Sequence, residues 1–217
     1  MTHFMGHDLS PAERQKVTLA IGAAEAHTTG EIVVVAAHAS DDYIHVPIHI
    51  ATGFALAVPL ALWLWQLTHP WDAAFSWGWL FGIQLVVFIA VALVLSLPGI
   101  RRFITPVRLK RKYAHRNAAA QFLATNIVAT EQRTGVLIFV SLLERYVEVI
   151  GDEAIAAKLS ASDWQKIIDE MLHLLKDKQA CDALVLGVQH AGALLAKHFP
   201  AKSHVKDELP NRFIVLD

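Results

Sequence analysis

The hydrophobic pattern of this chain changes period several times, and each change marks a predicted element. Ser10-Pro11-Ala12-Glu13 reads as a capping box with proline at the first helical position, and Val17, Ala20, Ile21 and Ala24 follow at helical spacing, which predicts a helix over 11–26. Thr29-Gly30 is the expected left-handed stop, and the β-branched run at 31–36 is a buried strand. From Tyr43 to Trp71, and again from Ala73 to Ile100, no charged residue occurs. Each run exceeds the roughly 20 residues a helix needs to cross a hydrocarbon core about 30 Å thick. Two spans are therefore predicted, near 46–67 and 77–98, with Pro59 kinking the first.

Past the second apolar run the earlier order returns. Residues 112–131 are helix-compatible, Thr134-Gly135 repeats the stop, and 136–140 is a second continuously apolar strand, so both its faces must be covered. The short turn at Ser141 to Arg145 makes 146–150 antiparallel to it. Ser162-Asp163-Trp164-Gln165 opens a helix with an apolar stripe at Trp164, Ile167, Ile168, Met171, Leu172 and Leu175, another helix covers 180–197, and Phe213 to Leu216 is an edge strand. Neither half can bury its own strand. The expected fold is α/β, a small mixed sheet with helices on both faces and a two-helix hairpin inserted between its first two strands. The predicted organisation is 1–43 and 113–217 as two parts of one soluble domain, 44–100 as the membrane hairpin and 101–112 as a basic linker.

Composition supports a partly lipid-embedded chain: 54% of its 217 residues are hydrophobic and its mean hydropathy is positive. The net charge of −1 gives no basic footprint for nucleic acid. Trp63, Trp65, Trp71, Trp77 and Trp79 cluster around the hairpin connection as an interfacial belt, whereas Arg101, Arg102, Arg108, Lys110, Arg111, Lys112 and Arg116 follow the second span against a lone Asp72 in the connection. By the positive-inside rule the basic flank and both termini are cytoplasmic. The same cations suit anionic headgroups. The first residues lack a secretory signal, so the expected location is a cell membrane crossed twice. The single cysteine, Cys181, excludes an internal disulfide.

Thr29-Gly30-Glu31-Ile32-Val33-Val34-Val35, Arg133-Thr134-Gly135-Val136-Leu137-Ile138, Glu144-Arg145 with Val147-Glu148-Val149-Ile150-Gly151-Asp152, and the capped Trp164 helix together resemble the TPM-domain family. The chain is similar to the bacterial membrane-bound branch, in which Glu208-Leu209-Pro210-Asn211 closes the chain after His198-Phe199-Pro200. The resemblance implies a compact α/β sandwich. Some relatives are described as acid phosphatases or calcium binders, with Asp-Asn-Gly before the second strand, where this chain has Arg133-Thr134-Gly135. A guanidinium in place of an acidic ligand argues against both activities here.

Candidate chemistry is sparse. In an open α/β sheet a site is expected beyond the carboxyl ends of the parallel strands, near His38, Ser40, Asp41, Asp42 and Ser141, an edge expected to face the bilayer because the first span starts a few residues later. Glu31 opens a strand, Asp152 is expected to cap a helix, and Glu144 with Arg145 forms a turn corner. His45 with His49, and His3 with His7, are spaced four apart but lack a third ligand, so no metal site and no cofactor are expected. No phosphate loop, dinucleotide fingerprint or serine elbow occurs. The expected role is a membrane-anchored binding module that docks a membrane or cytoplasmic protein, with Arg133, Glu144 and Arg145 as ligand-facing groups. The competing expectation is a phosphatase-like hydrolase using Asp152, Glu31 or Asp41 with calcium or magnesium.

Overall fold

The computed structural model describes residues 9–68, 77–125, 127, 133–201 and 212–216. The chain divides into two compact units, Met1–Asp41 with Lys110–Asp217, and Asp42–Leu109. In the first unit, β1 (Glu31–Ala37), β2 (Gly135–Ser141), β3 (Tyr146–Gly151) and β4 (Phe213–Leu216) form one sheet in the order β3-β2-β1-β4. β1 and β2 run parallel with Glu31 opposite Gly135 and Ala37 opposite Ser141. β3 returns antiparallel to β2, and β4 pairs parallel with Val34 to Ala37.

All seven residues of β1 and of β2 are buried, because the sheet is covered on both faces. Alternation divides the side chains. Ile32, Val34 and Ala36, with Val136, Ile138 and Val140, face a core built with α1 (Pro11–Glu25), α7 (Ala161–Lys176) and α8 (Ala180–His198). Val33, Val35 and Ala37, with Leu137 and Phe139, face Ala114 and Ala118 of α5 (Val107–Ala124) and Ile127. A Cβ at Gly192 would stand 2.6 Å from that of Ala24, so glycine lets α8 lie directly against α1. The capping box of α1 forms as predicted, with the Glu13 carboxylate accepting from both the backbone N–H and the hydroxyl of Ser10.

Several local expectations change. The cap of α7 is Ser160, not Ser162: the Asp163 carboxylate accepts the Ser160 N–H and hydroxyl, both at 2.7 Å, and the apolar stripe then starts at the fourth helical residue. Neither Gly30 nor Gly135 is a left-handed stop. Gly135 is required by close approach, since a Cβ there would lie 1.9 Å from Ile127 Cγ2, and the left-handed residue is Arg133, two positions earlier, at φ 51°. Helix α5 begins at 107 and ends at 124, so it takes in much of the basic segment read as a linker, and α4 (Pro98–Ile104) takes in Arg101 and Arg102.

The second unit contains α2 (His45–Thr68) and α3 (Trp77–Ser96), packed along one another, followed by α4. Both α2 and α3 are long and apolar enough to cross a bilayer. Their outer faces carry exposed Leu60, Trp63, Trp65, Trp79 and Ile89. Hydroxyls inside α2 are returned to its own backbone, Thr52 to Ile48 O at 2.9 Å and Thr68 to Trp65 O at 2.8 Å. Trp63, Trp65 and Trp79 thus stand outside the helix pair instead of filling it. His3, His7, Trp71, Asp72 and Glu208 to Asn211, with the side chain of Trp77, lie outside the described residues.

Candidate functional site

The strand register sorts the predicted site residues to two opposite ends of the sheet. Glu31 starts β1, Arg133 and Thr134 precede β2, and Asp152 follows β3, which brings these four to one end. Ser40 and Asp41 follow β1, and Ser141, Glu144 and Arg145 form the β2–β3 turn, at the other. Seven residues of β2 separate the ends, about 23 Å at 3.3 Å per residue. Arg133 is therefore not in one site with Glu144 and Arg145, and Asp41 is not in one site with Asp152 and Glu31.

At the first end, Asp152 is 5% exposed and nearly every direction around it is used. Its N–H donates to Gly135 O at 2.8 Å, and its carboxylate accepts the Glu153 N–H at 2.7 Å as the cap of the short helix α6 (Glu153–Ala156). The Arg133 guanidinium donates to both Asp152 oxygens at 3.4 Å and pairs with Glu153 at 3.1 Å, while Ala154 N–H donates to Arg133 O at 3.3 Å. The left-handed backbone of Arg133 lets its carbonyl and its side chain both reach the start of α6. Nearby, the buried Thr134 hydroxyl donates to Thr29 O at 2.9 Å and the Thr28 hydroxyl to Phe199 O at 2.7 Å. Glu31 is buried beside this network, and its N–H donates to Thr134 O at 3.3 Å.

Calcium or magnesium does not fit this end. A guanidinium occupies the approach to Asp152 and satisfies the charge that would draw a cation. Among the described residues no three His, Cys, Asp or Glu side chains converge as a metal cluster, the His45–His49 pair included.

At the second end the β2–β3 turn folds over the end of β1, with Leu142 N–H donating to Ala37 O and Leu143 N–H to His38 O, both at 3.0 Å. Arg145 takes the left-handed conformation, at φ 48°, that closes the turn. The Ser40 hydroxyl donates to Ser141 Oγ at 2.8 Å, the fully buried Ser141 hydroxyl donates to Glu144, and the Ser40 N–H donates to the other Glu144 oxygen at 3.3 Å. Glu144 thereby locks the loop after β1 to the turn after β2. Its carboxylate is an acceptor for two hydroxyl-bearing residues, Ser40 through its N–H and Ser141 through its hydroxyl.

A third polar cluster was not assigned any role from sequence. On the α5 face of β3, the Glu148 carboxylate accepts from Tyr146 OH at 2.9 Å and meets His115 Nδ1 at 2.8 Å. Burial, and then the hydrogen bond to Glu148, pushes the Tyr146 phenol above its ordinary value, against the opposing charge of Arg111. The Tyr-x-Glu spacing places both groups on one face of a strand and was legible. Their partner on α5 was not, because no sequence spacing relates 115 to 148.

Residues 89–194 match the family model of the TPM domain. No curated protein matches the chain. Among solved structures, the NMR structure of BA42 protein from the psychrophilic bacterium Bizionia argentinensis is similar, at 19% identity, a TM-score of 0.59 and coverage of 99% of both chains, which is a likeness of fold. The matched segment runs from within α3 to within α8 and holds α4 to α7, β2 and β3, while β1 and β4 complete the sheet from outside it. The TPM-domain likeness of this chain therefore rests on residues 89–194, and the likeness of fold extends over its whole length.

Proposed function

We propose that this chain is an accessory protein of a bacterial inner membrane, anchored by α2 and α3, whose cytoplasmic TPM domain docks a protein partner at the membrane surface. The observation that carries this reading is the parallel pairing of β1 with β2 across the inserted hairpin. A strand before two apolar helices and a strand after them can share a sheet only if the chain enters and leaves the membrane on one side. The basic flank supports the reading that this side is the cytoplasm. Arg101, Arg102, Arg108, Lys110, Arg111 and Lys112 supply cations for anionic headgroups, and Phe103, 91% exposed beside Arg102, supplies an apolar wedge for the same interface. Docking in preference to hydrolysis is supported by the use of Asp152 and Glu144, both committed to contacts that hold the fold.

Chemical crosslinking in native membranes, followed by purification of the full chain, tests the docking. Recovery of a defined heterologous protein, lost when the β2–β3 turn is altered, is expected. Recovery of the bare chain alone argues against docking. Turnover of generic phosphate esters that needs calcium or magnesium and disappears in Asp152→Asn, with hydrogen exchange unchanged, would establish the hydrolase instead.

A further inference from the structure

The groove between α2 and α3 brings a polar side chain with no hydrogen-bond partner among the described residues to an apolar helix pair. It is lined by Thr52 and Leu56 of α2 and by Phe81, Gln84, Leu85 and Phe88 of α3, around a hollow of about 370 Å³. The Thr52 hydroxyl is bonded to its own helix. Gln84 is half-buried and makes no hydrogen bond among the described residues. It lies seven residues beyond Trp77, about 10 Å along the helix at 1.5 Å per residue, within the ~30 Å hydrocarbon layer that α3 would cross. A carboxamide at that depth has no water to bond, and neighbouring helices are the usual source of its partner.

We infer that this groove receives α3 of a second copy of the chain, with the two Gln84 side chains hydrogen-bonded to each other. The inference rests on the membrane reading above. A primary amide carries its own complement, since the NH2 of one pairs with the carbonyl of the other. Two copies inserted in the same orientation hold Gln84 at the same depth by construction, whereas an unrelated helix would need a matching group at that level. Phe81, Gln84, Leu85 and Phe88 stand at i, i+3, i+4 and i+7, the spacing of a helix–helix seam. A single polar residue in such a seam fixes register and the number of strands. The hollow is sized for side chains of a facing helix.

The test uses the full chain carrying Cys181→Ser, reconstituted in lipid bilayers. Alkaline carbonate extraction comes first: release of the chain refutes the membrane reading and the pairing with it, while retention leaves the pairing to be judged alone. Energy transfer between donor- and acceptor-labelled copies, followed as lipid dilutes protein, is expected to report a dimer. Gln84→Leu is expected to weaken that dimer by about three- to thirty-fold, the range for losing one interhelical hydrogen bond, and Gln84→Asn to restore part of it. Disulfides should form at Phe81→Cys and Phe88→Cys and not at Val86→Cys, which faces away from that seam on α3. A monomer at every dilution, equal association of Gln84→Leu, or crosslinking through Val86→Cys would each overturn the inference.

Discussion

Replacing Arg133 separates two effects that the structure superimposes at one residue. Its backbone lies in the left-handed region, at φ 51°, where an L side chain costs about 1 kcal/mol or more relative to glycine. Its guanidinium meets Asp152 at 3.4 Å and Glu153 at 3.1 Å, but the side chain is 49% exposed. An ion pair so open to solvent contributes about 1 kcal/mol at most. Arg133→Ala should therefore lose the pair, keep the backbone strain and destabilise by about 1 kcal/mol. Arg133→Gly also loses the pair but relieves the strain, and part of that relief is offset by the greater freedom of glycine in the unfolded chain. It should come out about 0.5–1 kcal/mol more stable than the alanine variant, a reversal of the usual order of the two residues. Hydrogen exchange of the β2 and β3 amides in the detergent-solubilised chain measures both, since 1 kcal/mol changes the protection factor about fivefold. Protection in Arg133→Ala equal to or above that in Arg133→Gly would refute the backbone argument. Combining Arg133→Ala with Asp152→Asn should cost less than the sum of the two alone, and strict additivity would show that the pair contributes nothing.

The same arrangement predicts that calcium at millimolar concentration leaves the thermal midpoint unchanged. A site filled to a hundred times its dissociation constant would instead add about 2.7 kcal/mol, a shift easily seen by calorimetry. Hydrogen bonds from Ser10 and from Ser160 hold the Glu13 and Asp163 carboxyls below their ordinary values of 4.5 and 3.8. A depressed carboxyl stabilises the fold above its unfolded value and loses that contribution as pH falls through the folded one, so the first turns of α1 and α7 should lose protection, measured against the unfolded chain at the same pH, below about pH 4. Ser10→Ala should remove this acid dependence from α1 alone, and persistence of the effect would exclude the cap as its cause. Tyr146, raised above 10.0 by burial and Glu148, contributes stability that is complete below pH 10 and lost as pH rises through its folded value. The ultraviolet titration step missing in Tyr146→Phe should therefore lie above pH 10, and a missing step at or below 10 would contradict the Glu148 contact.

The sheet and its coverage were legible because the signals were local and redundant. The runs at 31–37 and 135–141 are apolar throughout, which demands two covered faces, and the 19 residues from Arg133 to Gly151 contain a turn too short for anything except an antiparallel return. The hairpin was legible from its missing charges. The ends of elements were less so. Ser160 and Ser162 both precede an acidic or amide residue at capping distance, and only the phase of the stripe from Trp164 selects the first. Gly30 and Gly135 suggested left-handed stops, whereas glycine at 135 answers the side chain of Ile127, a contact no spacing reveals. Candidate site residues were chosen by type. Whether they converge depends on the strand register, which set Arg133 and Asp152 together and left Glu144 and Arg145 at the far end.

The arrangement of one sheet divided by a membrane hairpin is tested most directly by the sidedness of single cysteines in intact inverted and right-side-out membrane vesicles. In a Cys181→Ser background, cysteines at Glu25, at Asp72 in the hairpin connection and at Lys176 are treated with a membrane-impermeant maleimide. The parallel register of Glu31 with Gly135 requires that residues 25 and 176 are labelled from one side and residue 72 only from the other. Labelling of 25 and 176 from opposite sides, or of all three from the same side, would contradict it.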